Sequence, residues 1–105
     1  MERKDRRRSP RVSLSIPLRV KWSCAEGTIK EEQTRTEVLN GAGARIHLMI
    51  AVDRGTEMEI VNLENQESAR ARVVWASEHS PQEGQRVGIE FLTPRAAFWG
   101  SQYSP

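Results

Sequence analysis

Two stretches of this 105-residue sequence have residue types and spacing suited to binding an anionic ligand. The first is the arginine-rich run Arg6-Arg7-Arg8-Ser9-Pro10-Arg11. Guanidinium groups bind phosphate oxygens in pairs and stack on flat bases. The second is Val38-Leu39-Asn40-Gly41-Ala42-Gly43-Ala44, where glycines let a ligand approach the main chain closely. An arginine arm folded over this turn could hold a phosphorylated ligand that contains a base, and the alternative is a solvated tail beside an ordinary hairpin.

Residue types that usually carry catalysis are sparse and scattered. The single cysteine, Cys24, cannot form an internal disulfide, and with only His47 and His79 as further candidates it does not make a zinc site. The sequence contains no glycine-rich phosphate loop followed by lysine and no paired metal ligands. We therefore predict a protein that is not an enzyme and that carries no metal or cofactor.

The basic charge of the sequence is concentrated at its start. Residues 1–11 contain six basic and two acidic side chains, whereas residues 12–105 contain ten basic and twelve acidic ones. A slightly acidic body argues against a nucleic-acid-binding barrel, because such domains spread positive charge over a folded face. The longest apolar run, Met49-Ile50-Ala51-Val52, is too short for a membrane span, and no secretory signal follows the first Met. We expect a cytoplasmic protein.

Alternation of apolar and polar residues predicts the elements that would position these stretches. Apolar residues at every second position are typical of strands with one buried face. Turn residues separate the runs regularly, which is typical of an antiparallel barrel or sandwich. Six strands in so short a chain favour a small barrel, because closure removes unpaired strand edges. The fold class is therefore all-β, a small six-stranded antiparallel barrel. The runs are 12–22, 42–52, 69–75 and 87–91, with weaker ones at 30–39 and 57–63.

Local features refine this prediction. Even-numbered positions of the first two runs should be buried, and Pro17, which lacks a main-chain donor, should lie at a sheet edge or a bend. Trp22 and Trp75 continue apolar faces and are predicted in the core. Thr93-Pro94 resembles a helix N-cap followed by proline, so a short helix to about residue 99 should bury Phe98 or Trp99. The predicted organisation is a basic arm (1–11), a barrel (12–92) and a short C-terminal helix with a tail (93–105).

Taken in order, these features resemble the PilZ domain family. The family motif R-x-x-x-R before the first strand is matched by Arg7 and Arg11. Its second motif, D-x-S-x-x-G, corresponds to residues 38–43. The segments Arg72-Val73-Val74-Trp75 and Arg86-Val87-Gly88-Ile89-Glu90-Phe91 resemble the fifth and sixth strands of the family. The resemblance covers residue 6 to about residue 92.

The resemblance implies a PilZ-like split barrel that receives the bacterial second messenger cyclic di-GMP. It implies that Arg7 and Arg11 contact the phosphates and guanine faces, and that Asn40 and Gly43 contribute at the second motif, where the family's Asp and Ser bind a guanine edge. Here the motif Asp is Val38 and the motif Ser is Asn40. We expect a receptor that relays cyclic di-GMP to an unidentified protein partner; the alternatives are an adaptor without ligand and, third, a nucleic-acid-binding barrel.

Overall fold

A computed structural model describes residues 13–100, and within them six antiparallel strands close into a barrel in the order β1-β2-β3-β6-β5-β4. This confirms the predicted fold class, and each strand overlaps one of the alternating runs. No helix within residues 13–100 is long and apolar enough to cross a membrane. The strands are β1 (Pro17–Ser23), β2 (Ile29–Asn40), β3 (Gly43–Leu48), β4 (Glu57–Asn62), β5 (Ser68–Ala76) and β6 (Gln85–Phe91), followed by a 3-10 helix (Ala96–Trp99).

The barrel interior is formed by the alternating apolar residues, because successive side chains of a strand point to opposite faces. Even-numbered residues from 16 to 22 are buried, as are Ile46, Leu48 and Val52. In the second run Ala44 and Ile50 are only partly buried, and Ala42 is exposed at the turn. The predicted buried face is thus correct where the strands pair, and it weakens at their ends.

The start of β1 differs from the prediction. The strand begins at Pro17, and residue 12 lies outside the described residues. Thr36 ties the preceding segment to β2, because its hydroxyl donates to the carbonyl of Leu14 and accepts from the amide of Ile16. Of the two positions predicted for Pro17, the sheet edge is wrong, since β1 pairs with β2 on one side and with β4 on the other. Proline is tolerated there because it is the first residue of the strand.

The predicted core position of Trp75 is also wrong. Its side chain is 47% exposed, whereas Trp22 is buried as expected. Val73 pairs with Ile89 but Trp75 pairs with Gly88, so Val74 is an extra residue in β5. A β-bulge of this kind reverses the face to which the following side chains point. The indole of Trp75 is therefore on the outside of the barrel.

The C-terminal helix is shorter than predicted and of a different type. It is a 3-10 helix that begins at Ala96, two residues after Pro94. The residue at its N-cap position is Arg95, with no capping hydrogen bond from a side chain, so Thr93 is not the cap. This single turn brings the side chains of Phe98 and Trp99 against the barrel.

Three aromatic rings close one end of the barrel. Phe98 and Trp99 are both buried, and Phe91 packs against them from β6. The ring centroids of Phe91 and Phe98 are 5.3 Å apart, and those of Phe98 and Trp99 are 4.9 Å apart, both in edge-to-face arrangements. Asn62, fully buried, donates from its side chain to the carbonyl of Phe98 at 2.7 Å. The helix is thereby fixed to β4 as well as to β6.

Candidate functional site

A groove of about 380 Å³ runs along the outer surface of the barrel beside the turn between β2 and β3. It crosses four strands, β2, β3, β6 and β5, and includes the small residues of the β2–β3 turn. Its lining combines an aromatic ring, an amide, two glycines and a carboxylate, a combination suited to a flat polar ligand. The lining residues used below are Val38, Asn40, Gly43, Gly88, Trp75 and Glu90.

One row of cross-strand partners forms the apolar part of the groove. Val38 pairs with Arg45, Arg45 pairs with Gly88, and Gly88 pairs with Trp75. The ring of Trp75 lies next to Gly88, so that a Cβ placed on this glycine would be 3.5 Å from the Cε3 atom of the indole. Because Gly88 has no side chain, one edge of the indole ring borders a part of the groove that no side chain fills. The bulge at Val74 thus places an exposed aromatic surface beside the second motif.

A second row crosses the same strands through the turn residues. Asn40 pairs with Gly43, and Gly43 pairs with Glu90. A Cβ on Gly43 would lie 1.9 Å from the main-chain oxygen of Ile89, far closer than any van der Waals contact permits. Glycine is therefore required at position 43 for the packing of β3 against β6. The structure brings Asn40 and Gly43 together and gives Gly43 a structural role that the sequence analysis did not predict.

The side chain of Asn40 shapes the turn. Its Oδ1 atom accepts hydrogen bonds from the amides of Ala42, at 2.8 Å, and Gly43, at 3.0 Å. Such local bonding by asparagine stabilises tight turns. The Nδ2 group of Asn40 has no partner within residues 13–100, so this side chain offers a ligand a donor and not an acceptor.

The arginines of β3 and β6 are already paired with a carboxylate. The Nε atom of Arg45 lies 3.0 Å from Oε1 of Glu37, and the Nε atom of Arg86 lies 3.8 Å from the same oxygen. All three side chains are at least one-third exposed, so these pairs add little to stability. They do reduce the net positive charge that this side of the groove presents to an anion.

The arginines of β5 are paired in the same way. Glu57 accepts from Arg72 at 3.1 Å and from Arg70 at 3.3 Å. These two hydrogen bonds, with that from Arg72 the larger cause, hold the pKa of Glu57 below its ordinary value. Positive charge for an anionic ligand must therefore come mainly from outside the described strands.

Two of the predicted site residues, Arg7 and Arg11, lie outside the described residues. The described chain begins at residue 13, and its first anchored residue is Leu14, whose carbonyl is bound by Thr36 of β2. Beyond Thr36, β2 leads to Val38 and Asn40. The first described residues thus lie beside Thr36, two residues before Val38 in β2.

Sequence reasoning missed Trp75 and Glu90 as groove residues. Trp75 continued the alternation of Val73, and only the additional apolar residue Val74 hinted that the alternation breaks there. In the sequence Glu90 alternates with apolar residues, as other strand glutamates do, and its neighbours do not indicate a binding role. Both residues reach the groove through the pairing of β6, which is a long-range property.

The other chemistry-bearing residues have local structural roles. The ring of His47 bonds the carbonyl of Glu83, and the ring of His79 bonds the carbonyl of Met49 at 2.8 Å, so both histidines fasten loops. Cys24 is partly buried, and its thiol donates to Glu26. Among residues 13–100 there is no cluster of three His, Cys, Asp or Glu side chains that could hold a metal ion.

Comparison with protein families gives one match that spans most of the chain. The family model of the PilZ domain matches residues 5–98. No curated protein matches the sequence.

Solved structures with the same fold support this match. The inhibitor of motility MotI/DgrA from Bacillus subtilis aligns over 92% of the chain, with a TM-score of 0.68 and 16% identity, and the chain spans about half of it, 47%. The PilZ domain of YcgR from Escherichia coli, solved with c-di-GMP, aligns over 85% of this chain and 79% of its own, with a TM-score of 0.58 and 19% identity. The longer YcgR, also in complex with c-di-GMP, aligns over 84% of this chain and 38% of its own, with a TM-score of 0.57 and 22% identity.

Proposed function

The chain belongs to the PilZ domain family, and on that premise we propose that it is a non-enzymatic receptor module for cyclic di-GMP. The observation that carries this proposal is the groove between the second-motif turn and the exposed ring of Trp75. Two structures with this fold, both of YcgR, were solved with c-di-GMP.

In this proposal the phosphates are bound by Arg7 and Arg11. A fully extended chain spans about 3.5 Å per residue, so Arg11 begins within about 7 Å of Ser13 and Arg7 within about 20 Å. The proposal places both arginines within these distances, over the groove. The dianionic ligand needs them because Arg45 within the groove is neutralised by Glu37. Bidentate bonds from guanidinium to phosphate provide affinity and orientation together.

The guanine bases are bound by the groove itself. The exposed indole of Trp75 offers a surface on which a base can stack, an interaction worth about 1–3 kcal/mol in single-stranded nucleic acid binding. The free Nδ2 group of Asn40 can donate to a base carbonyl or a phosphate oxygen. Gly43, the cross-strand partner of Asn40, has no side chain, so the groove surface beside Asn40 is open to the ligand.

Ligand binding would hold residues 1–11 across the barrel, and a cytoplasmic partner protein would read the changed surface. Coupling of a ligand to the rearrangement of a chain segment is a common form of molecular switch. The partner is proposed to be a protein because the barrel body is slightly acidic and the basic residues are needed for the phosphates.

One specific observation favours a second candidate, a protein-interaction adaptor that does not bind the messenger. Val38 lines the groove where the family has an aspartate, and valine cannot accept a hydrogen bond from guanine. On this alternative the exposed Val74 and Trp75 would serve protein contacts alone.

Calorimetric titration of the full chain with cyclic di-GMP distinguishes the two candidates. Because one charge-assisted bond is missing at Val38, we expect a dissociation constant about ten- to a hundredfold weaker than an intact second motif would give. GMP, which lacks the second nucleotide, is the matched control and should bind more weakly still. Absence of any heat of binding at millimolar cyclic di-GMP would reject the receptor and leave the adaptor.

A further inference from the structure

Glu90 is the exception among the carboxylates of the barrel. Within residues 13–100 six glutamates lie on strands, and five of them accept hydrogen bonds or form ion pairs. The carboxylate of Glu90 has no hydrogen-bond or ion-pair partner in this part of the chain. It also lines the groove, which none of the other five does. An exposed, unpaired acceptor is therefore available at the candidate site.

Strand pairing determines where this acceptor lies. Asn40, Gly43 and Glu90 occupy one row across β2, β3 and β6. Neighbouring strands are about 4.8 Å apart, so the backbones of Asn40 and Glu90 are separated by about 10 Å. Gly43 lies between them without a side chain. Trp75 belongs to the adjacent row, where it pairs with Gly88 of β6. Gly88 lies two residues before Glu90 in the same strand.

This arrangement fits the hydrogen-bonding groups of a guanine. The base presents two adjacent donors, N1–H and the N2 amino group, and one carboxylate can accept from both. In this groove the Oδ1 atom of Asn40 is occupied by two main-chain amides, and Val38 has only methyl groups. Glu90 is then the acceptor in the groove that remains unoccupied, at the edge of a base stacked on Trp75.

We infer that Glu90 is the residue of this protein that recognises guanine, and that it offers a carboxylate acceptor from a different strand, in addition to the position at which Val38 offers none. The inference rests on the proposed function and adds to it a determinant of base specificity. Adenine presents a lone pair at N1 where guanine has a donor, so a carboxylate at position 90 rejects cyclic di-AMP.

The test compares Glu90→Gln with Glu78→Gln, titrating each full chain with cyclic di-GMP and with cyclic di-AMP. Glu78 is exposed, lies outside the groove and has no side-chain partner within residues 13–100, so its replacement removes the same charge elsewhere. Glu90→Gln should weaken cyclic di-GMP binding about ten- to a hundredfold, because one amide hydrogen then faces the guanine donors. The same variant should reduce the ratio of the affinity for cyclic di-GMP to that for cyclic di-AMP at least tenfold, since an amide can bond an adenine edge. Glu78→Gln should leave both affinities within about twofold.

The outcomes separate this inference from the receptor proposal. If the wild type binds cyclic di-GMP and Glu90→Gln binds it equally well or more tightly, Glu90 acts at most through its charge and the inference is overturned while the receptor stands. If Glu90→Gln and Glu78→Gln change the affinity alike, the effect is one of bulk charge and the inference is again overturned. If the wild type binds neither dinucleotide at millimolar concentration, the receptor and the inference fail together.

Discussion

The indole Nε1–H of Trp99 donates a hydrogen bond of 2.8 Å to the main-chain oxygen of Asn40. The two residues are 59 positions apart in the chain. Through this bond the C-terminal 3-10 helix holds the residue that precedes the β2–β3 turn, so the geometry of the second motif depends on the aromatic cap of the barrel.

Replacing Trp99 by phenylalanine should loosen this turn while keeping most of the apolar packing. The carbonyl of Asn40 loses its donor, and we expect the free energy of unfolding to fall by about 1–2 kcal/mol. Hydrogen exchange followed by NMR should show faster exchange at the amides of Ala42 and Gly43, which Asn40 also binds. Unchanged exchange at these amides would show that Trp99 acts through packing alone.

Gly43→Ala should be strongly destabilising, because the added Cβ would meet the main-chain oxygen of Ile89 at 1.9 Å. Overpacking of this kind costs about 1–3 kcal/mol, and main-chain atoms cannot move aside easily. Gly88→Ala is the matched control, since its Cβ would be in ordinary contact with Trp75 at 3.5 Å. Thermal melts followed by circular dichroism should separate the two variants by several degrees; equal melting temperatures would contradict the close packing of β3 on β6.

The inside–outside assignment of β3 is tested by adjacent substitutions. Ile46 is fully buried and Arg45 is exposed. Ile46→Asp buries a charge without a partner and should prevent stable folding. Arg45→Asp replaces the exposed pair with Glu37 by an exposed like-charge contact, which water screens, and should lower the free energy of unfolding by only about 1 kcal/mol. Similar urea midpoints for the two variants would mean that the faces are wrongly assigned.

The role of the basic arm is tested with three alanine variants. If the arm grips the phosphates, Arg7→Ala and Arg11→Ala should each weaken cyclic di-GMP binding about tenfold or more, the effect of losing one charge-assisted bond. Arg3→Ala lies outside the R-x-x-x-R motif and removes the same charge, so it serves as the control. An equal loss of affinity in all three variants, measured by calorimetry, would indicate attraction by net charge and favour nucleic acid as the ligand.

Restoring the Asp and Ser of the second motif tests how far Val38 and Asn40 lower the affinity for cyclic di-GMP. Val38→Asp with Asn40→Ser should raise the affinity for cyclic di-GMP about tenfold or more, because an acceptor is regained beside the groove. The new carboxylate would lie next to Arg45, its cross-strand partner, which limits the cost of the added charge. Val38→Asp alone isolates this effect, since Asn40 then keeps its bonds to the turn. No gain in either variant would indicate that no guanine donor of the bound messenger lies within reach of position 38.

The barrel could be predicted from the sequence because it depends on local alternation. Ile16, Leu18, Val20 and Trp22 are all buried, and a period of two places such residues on one face whatever strand lies next to them. The R-x-x-x-R and second-motif residues were recognised in the same way, by type and spacing along the chain. Both inferences need only the local sequence and do not depend on which strands pair.

The groove could not be predicted, because it depends on pairing between distant strands. One additional residue, Val74, shifts the register of β5 against β6 and moves Trp75 from the interior to the surface. The neighbourhood of Asn40, Gly43 and Glu90 likewise follows from the register of β2, β3 and β6. Residue type and local alternation therefore determined which residues could be buried or could bind, and only the long-range register decided which of them share a surface.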